Sequence, residues 1–273
     1  QMCIRDRLNA KEYGVRRFGH VNWLGVWTLI KRENMRYLVI WQQTIFAPLV
    51  TAGLFLLVFS IAIGPERSNV MGFHYLVFLA PGLLMMTVIQ NSFANTSSSM
   101  LSAKVMGSIV DTLMPPLSPV EMTIGFLAGG IGRGLIIGFV LCLAMSLTLG
   151  IWIVHPIWTF SFVILGGMFM GALGLIGGIY ANKFDQMAAI SNFVVTPLAF
   201  LSGTFYSIRA LPDVLQPLIY LNPMFYIIDG GRYGVLGVSD GSPWLAFSMI
   251  CFANILAVCL SWYWLKKGYR LKS

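Results

Sequence analysis

The chain has 273 residues, 57% of them hydrophobic and 10% charged, with 18 Lys and Arg against 10 Asp and Glu for a net charge of +8. So few charges cannot cover so much apolar side chain in water, which excludes a soluble globular enzyme and leaves a polytopic, all-α membrane protein. The basic excess then reads as topology and as contact with anionic lipid headgroups, not as a nucleic-acid footprint.

Gln1–Arg7 (QMCIRDR) is unlike the rest of the chain and reads as artefactual; residues 1–19 form an N-terminal cytoplasmic segment, 20–268 the transmembrane domain and 269–273 a cytoplasmic tail. No cleavable signal is expected, because the chain is polar to about His20 and the first apolar run is too long for a signal core. From His20 to Arg36, Trp23, Trp27 and Ile30 share one helical face while Lys31, Arg32, Glu33 and Arg36 crowd the far end. This pattern predicts an interfacial helix lying in the membrane plane, either a plain anchor or a contact for a cytoplasmic partner.

Beyond it lie six apolar runs long enough to span, the fifth only marginally: Tyr37–Ile63, Phe73–Ser97, Val120–Leu149, Ile157–Ala181, Ala188–Ser202 extended to about Phe205, and Trp244–Leu265. Most Lys and Arg precede the first run or come after the last, with Lys104 and Lys183 in the second and fourth loops. Arg67, Arg209 and Arg232 fall on the opposite side, so both termini are expected in the cytoplasm, which requires an even number of crossings.

Arg133 is the ionisable residue deep inside a run, among Gly129, Gly130, Gly132 and Gly134; snorkelling, binding a lipid phosphate and lining a cavity at a dimer interface are all open to it. Gln90, Asn91 and Asn95 in the second run, with Asn192 and Thr196 in the fifth, offer hydrogen bonds either to a polar substrate group or to neighbouring helices. Glycines at small-xxx-small spacing, Gly125 to Gly138 and Gly167 to Gly178, predict close helix packing, with a hinge as the lesser reading. Four cysteines without a CxxC pair and three scattered histidines suggest neither disulfide nor metal site.

Ser99–Glu121, SMLSAKVMGSIVDTLMPPLSPVE, predicts a short cytoplasmic helix carrying Lys104, Gly107, Asp111 and Leu113, stopped by Pro115 and Pro116 and restarted at Ser118 and Pro119. A Gly, an acidic residue four on, a Leu and a Pro-x-Ser-Pro turn into the next span resemble the permease subunits of ABC-2 type transporters. The likeness continues in PGLLMMTVIQNSFANTSSS from Pro81 and in SGTFYSIRALPDVLQPLIYLNPMFYIIDGGRYGVLG from Ser202, whose Asp229 and Arg232 supply a D-x-x-R element. It points toward the multidrug, O-antigen and nodulation-factor export branch, with a type V exporter-like fold.

The resemblance implies that Ser99–Glu121 is a coupling helix docking on a separate ATPase subunit through Lys104, Gly107, Asp111, Leu113 and Pro116, with Lys183 and Asp185 on the fourth loop. Where this family often carries a basic residue beside the Gly, the chain has Met106, and Lys104 is expected to take over. Ser202–Gly237 is too polar to span and too apolar for a solvated loop, with Leu211, Leu215, Leu218, Ile219 and Phe225 along it; it should dip into the outer leaflet, where Asp229 and Arg232 satisfy each other. The resemblance makes this a re-entrant helical hairpin capping the pathway; a packed lid without substrate contact is the alternative.

No G-x-x-x-x-G-K-[ST] loop is present, so ATP and Mg are expected on the partner ATPase, with no cofactor or catalytic residue here. By resemblance, two copies of the chain and two ATPase copies would move a hydrophobic or amphipathic substrate (drug, lipid or lipid-linked glycan) out across the bacterial inner membrane. The alternatives are an energy-independent channel or scaffold, or a secondary transporter, which the lack of carboxylates deep in the spans disfavours.

Overall fold

A computed structural model describes residues 21–63, 70–214 and 216–271; the basic residues before His20, Arg67, Leu215 and Lys272 lie outside them. All regular elements among the described residues are helical. Five helices are long and apolar enough to cross a membrane: Gln42–Ile61, Tyr75–Val105, Pro119–Leu149, Pro156–Tyr180 and Pro243–Lys267.

Helix α1, Trp23–Val39, buries Val26, Leu29, Glu33 and Tyr37, a stripe at helical spacing. The stripe packs in register along the start of α5 (Pro119–Leu149): Leu29 meets Gly125, Glu33 meets Gly129, and Asn34 and Tyr37 meet Gly132. One face of this expected interfacial helix is therefore committed to a neighbouring helix, and Trp23 and Trp27 point away from it, 75% and 64% exposed.

The chain bends at Ile40, where the Thr44 hydroxyl donates to the carbonyls of Tyr37 and Ile40. It then runs through a π-helical turn, Gln42–Phe46, into α2, Ala47–Ile63. The first span thus starts after the bend rather than at Tyr37.

Helix α3, Tyr75–Val105, extends eight residues past the expected end at Ser97. The break comes at Gly107, whose φ of +73° few other residues adopt, and α4 is the short helix Ile109–Leu113. Lys104 therefore belongs to α3 and not to the short cytoplasmic helix in which it was expected. α5 opens on a capping box: Ser118 accepts from the Glu121 amide, and the Glu121 carboxylate accepts from the Ser118 amide.

α3, α5 and α6 (Pro156–Tyr180) form the centre. Gly130 and Gly134 of α5 face Gly171 and Gly167 of α6, while Gly174 and Gly178 approach the α3 backbone at Phe93 and Ser97. Thr96 donates to the Gly171 carbonyl at 2.8 Å, and α11, Pro243–Lys267, is pinned to α6 through Asn254 and Ser261.

The expected fifth span is displaced: α7 (Phe184–Ile190), a π-helical turn (Ser191–Val195) and α8 (Thr196–Phe200) form one unbroken helix that starts before Ala188 and stops at Leu201, without the extension to Phe205. It falls just below the ~18 residues needed to cross. Gly203 at φ +73° turns the chain back, and Phe205 leaves the helix to pack on Phe55, Phe59 and Phe200. A one-turn 3₁₀ helix and α9 (Gln216–Tyr220) lead to α10 (Pro223–Leu236), which is buried along almost its whole length.

α1, α4, the α6–α7 loop and the last turn of α11 gather at one end of the bundle, and α9 and α10 at the other.

Candidate functional site

The α4 end carries the loop expected to couple. Ile109 and Thr112 face inward, while Met106, Val110 and Met114 are 76%, 53% and 76% exposed, with Leu113, Asp111, Pro115 and Pro116 beside them. Val110 and Met114, four apart on α4 and its C-cap, share one side, so the short helix presents an apolar ridge with an acidic flank, while Met106 lies before the corner at Gly107. Gly107 is open around its Cα and supplies the corner that sets this ridge apart from α3.

Three ties anchor the ridge to the bundle. Arg32 Nη1 of α1 donates to Thr112 Oγ1 at 3.0 Å. The Glu121 carboxylate accepts from the amides of both Asn22 and Ser118 at 2.6 Å, joining the starts of α1 and α5, and Asn22 Nδ2 donates to the Pro116 carbonyl. A groove of ≈ 330 Å³ lies between α1, Asp111 and the Pro115–Leu117 turn.

Lys104 is buried and its ammonium points inward, donating to the carbonyls of Ile179 (2.6 Å) and Ala181 (2.7 Å). These belong to the end of α6, where helix carbonyls lack internal donors. Lys104 thus fastens the end of α3 to the α6–α7 loop, at whose far end Lys183 and, in α7, Asp185 are exposed. Lys183 flanks the N-terminus of α7, and Asp185 sits in its first turn.

A second polar cluster runs along α3. Arg36 Nη2 donates to the Asn95 carbonyl and to Asn95 Oδ1, and Nη1 to Ser98. Arg133 Nη2 donates to Asn91 Oδ1 at 2.6 Å. Glu33, 1% exposed, lies 3.1 Å from Arg32 and 3.7 Å from Arg36. Burial lowers the Arg36 pKa, with Glu33 opposing that shift and Arg32 adding to it. The structure thus joins Arg133 to Asn91 and gives Asn95, one turn on, to Arg36, but leaves Gln90 half-buried and Asn192 exposed on another helix.

At the α10 end, Arg232 is fully buried. Its Nη2 donates to the Gly203 carbonyl at 2.5 Å, its Nη1 lies 3.3 Å from Asp240 and 3.8 Å from Asp229, and the Phe78 ring sits 4.1 Å away. Asp229 accepts from the amides of Asp240 and Gly241, and Ser207 donates to Asp240. The expected Asp229–Arg232 pair is present but is the longer of two, and Asp240 is its missing member. The repeat of acid and base three apart pointed to Asp229; nothing local pointed to Asp240, which only the turn after α10 brings back.

Glu33 and Arg36 were read from sequence only as part of the charged end of the interfacial helix, and Glu121 and Asp240 were given no role. Of these, Glu121 had a usable signal in the Ser118-to-Glu121 spacing. Among the described residues no cluster of metal-ligating side chains occurs.

Residues 25–236 match the family model described as ABC-2 type transporter. The chain is 34% identical over 256 residues to the inner membrane transport permease YadH of Escherichia coli (strain K12), covering 93% of this chain and 99% of that protein. It is 24% identical over 242 residues to nodulation protein J of Sinorhizobium fredii (strain NBRC 101917 / NGR234), covering 88% and 91%, and 22% identical over 256 residues to nodulation protein J of Rhizobium leguminosarum bv. viciae, covering 89% and 93%. With one family model over most of its length and a full-length permease relative, the chain belongs to the ABC-2 type transporter membrane family.

Proposed function

We propose that the chain is the membrane subunit of an ATP-driven exporter in the bacterial inner membrane, working as a pair of copies with a separate ATPase. The observation that carries this reading is the ridge Val110–Met114, an exposed apolar surface on a loop otherwise tied down by Arg32, Glu121 and Asn22. An apolar ridge at an aqueous end calls for a protein partner. The transport permease name of the Escherichia coli relative supports the same reading.

In this reading the α4 end is cytoplasmic and six segments cross, the helix 184–200 serving as the fifth where the bilayer thins or the helix stays upright. Asp111, Leu113, Pro116, Lys183 and Asp185 meet the ATPase, with Gly107 shaping the corner and Lys104 acting from behind by joining the two loops. Closure of the ATPase pair pushes α4, and Arg32, Glu33 and Arg36 convey the push along α1 to Asn95 of α3. α9 and α10 form a re-entrant cap at the outer end.

Co-expression with neighbouring genes, purification in mild detergent and an ATP hydrolysis assay test the proposal. An ATPase subunit should co-purify and be lost when Val110 and Met114 are both replaced by Asp. A chain that purifies alone in several detergents and in nanodiscs would overturn it and favour a channel or scaffold.

A further inference from the structure

Arg133 stands near the middle of α5 with one recorded hydrogen bond, to Asn91. Its Nε is buried without a partner, and no carboxylate of the described residues lies within ion-pair distance of it. A desolvated guanidinium normally holds a carboxylate or phosphate, because its charge is otherwise uncompensated. The one carboxylate on this stripe, Glu33, is already shared between Arg32 and Arg36.

The geometry also places like charges together. Asn91 and Asn95 are one turn apart on α3, about 6 Å along its axis, and each holds a guanidinium. Arg32, Arg36 and Arg133 against Glu33 leave two uncompensated positive charges. The Asn95 Nδ2 donor is also unpartnered, and Ser98 and Asn91 are half-buried, so one side of the stripe is open. Beside Arg36 a cleft of ≈ 450 Å³ runs between α1 and α3, bordered by Arg32, Glu33, Ser99 and Ser102 but not by Arg133 or Asn91.

Guanidinium pairs with amide and hydroxyl donors suit a tetrahedral oxyanion, which accepts several charge-assisted bonds at once. Apolar helix faces flank the stripe, so the anion should carry a hydrocarbon tail. We propose that Arg133 and Arg36, positioned by Asn91 and Asn95, bind the phosphate headgroup of an anionic amphiphile. Binding rests on this chain's residues alone; that the amphiphile is cargo, not resident lipid, rests on the export reading above.

The test is equilibrium binding of labelled dodecyl phosphate to the purified full-length chain in phosphatidylcholine nanodiscs, without any ATPase. Saturable binding is expected, competed by unlabelled dodecyl phosphate but not by dodecyl trimethylammonium. Arg133→Gln should weaken it about tenfold or more, the scale of one lost charge-assisted bond, and Arg133→Lys less. Competition by phosphatidylglycerol at membrane concentrations supports the site and identifies resident lipid as its ligand. Failure of phosphatidylglycerol to compete supports the site with a mobile amphiphile, and competition by inorganic phosphate alone shows that the headgroup suffices. Unchanged affinity in Arg133→Gln and Asn91→Ala, both monodisperse and helical, overturns the proposal, as does equal competition by the cationic amphiphile. Should Arg133→Gln not fold, Arg133→Lys and the wild-type competition decide. Because no ATPase is present, loss of binding and loss of coupling are separate results.

Discussion

Arg232 is the residue on which the α10 end depends most directly. It is fully buried, faces two carboxylates and the Gly203 carbonyl, and lies against the Phe78 ring, so it ties α10 to the turn after α8, to the start of α11 and to α3. Arg232→Ala would strand Asp229 and Asp240 in a buried site, a loss of about 3–5 kcal/mol typical of breaking one side of a buried pair. Arg232→Lys keeps the charge but not the fork that reaches Gly203 and Asp240 together, so its loss should be smaller. Thermal unfolding in detergent, followed by circular dichroism, should rank wild type above Arg232→Lys and Arg232→Ala lowest; an alanine variant as stable as wild type would show the cluster to be ornamental. Lys104 has a comparable task at the other end. Lys104→Met removes the donor to the Ile179 and Ala181 carbonyls; if the chain works with an ATPase as proposed, the subunits should still co-purify while ATP hydrolysis by the assembled complex falls. Dissociation of the ATPase in that variant would instead make Lys104 a direct contact.

At the scale of elements, the apolar runs were legible because hydrocarbon demands them: Val120–Leu149 and Trp244–Leu265 lie within one or two residues of α5 and α11 at each end. The same demand accounts for the parts that were not legible. Ser97–Val105 is too polar to register as span, yet it continues α3 because nothing before Gly107 breaks the helix. The inward turn of Lys104 depends on where α6 ends, and the fifth run ends early because Gly203 reverses the chain, neither of which a hydropathy window contains. The glycine seams were legible as packing but not by partner. Gly174 is the sharper case, since a Cβ there would collide with the Phe93 carbonyl and the Thr96 hydroxyl, whereas one on Gly53 of α2 would touch nothing within 4 Å. Gly174→Ala should destabilise the chain by about 1–3 kcal/mol, the usual range for overpacking a close seam. Gly53→Ala should leave the melting temperature of the isolated chain unchanged or slightly raised, since alanine favours a helix. Equal melting temperatures for the two variants would mean that α3 and α6 do not approach closely enough at Gly174 to exclude a methyl group.

For the whole molecule, burial is distributed unevenly. Only 11% of the most apolar part of the helix Gln42–Ile61, which contains most of α2, is buried, against 72% for α3 and for α6. α2 is held at one end by Phe55 and Phe59 against Phe205 and Tyr75, leaving Val50, Leu54, Leu57 and Ile61 exposed along one face. Lipid alone could cover this face, but Gly53 beside it offers no side chain to lipid and would allow another helix backbone to come close. α11 is also largely exposed, and its outward Cys259 lies on a surface without such a small residue nearby. If two copies form the pathway through α2, a chain whose other cysteines are replaced and which carries Gly53→Cys or Leu57→Cys should form a disulfide-linked dimer on mild oxidation in native membranes. A disulfide needs Cα atoms about 4.4–6.8 Å apart, which lipid-separated helices do not reach. A chain keeping only Cys259 should stay monomeric on the denaturing gel. The reverse outcome, with Cys259 linked and positions 53 and 57 not, would move the interface to α11 and take α2 out of the pathway.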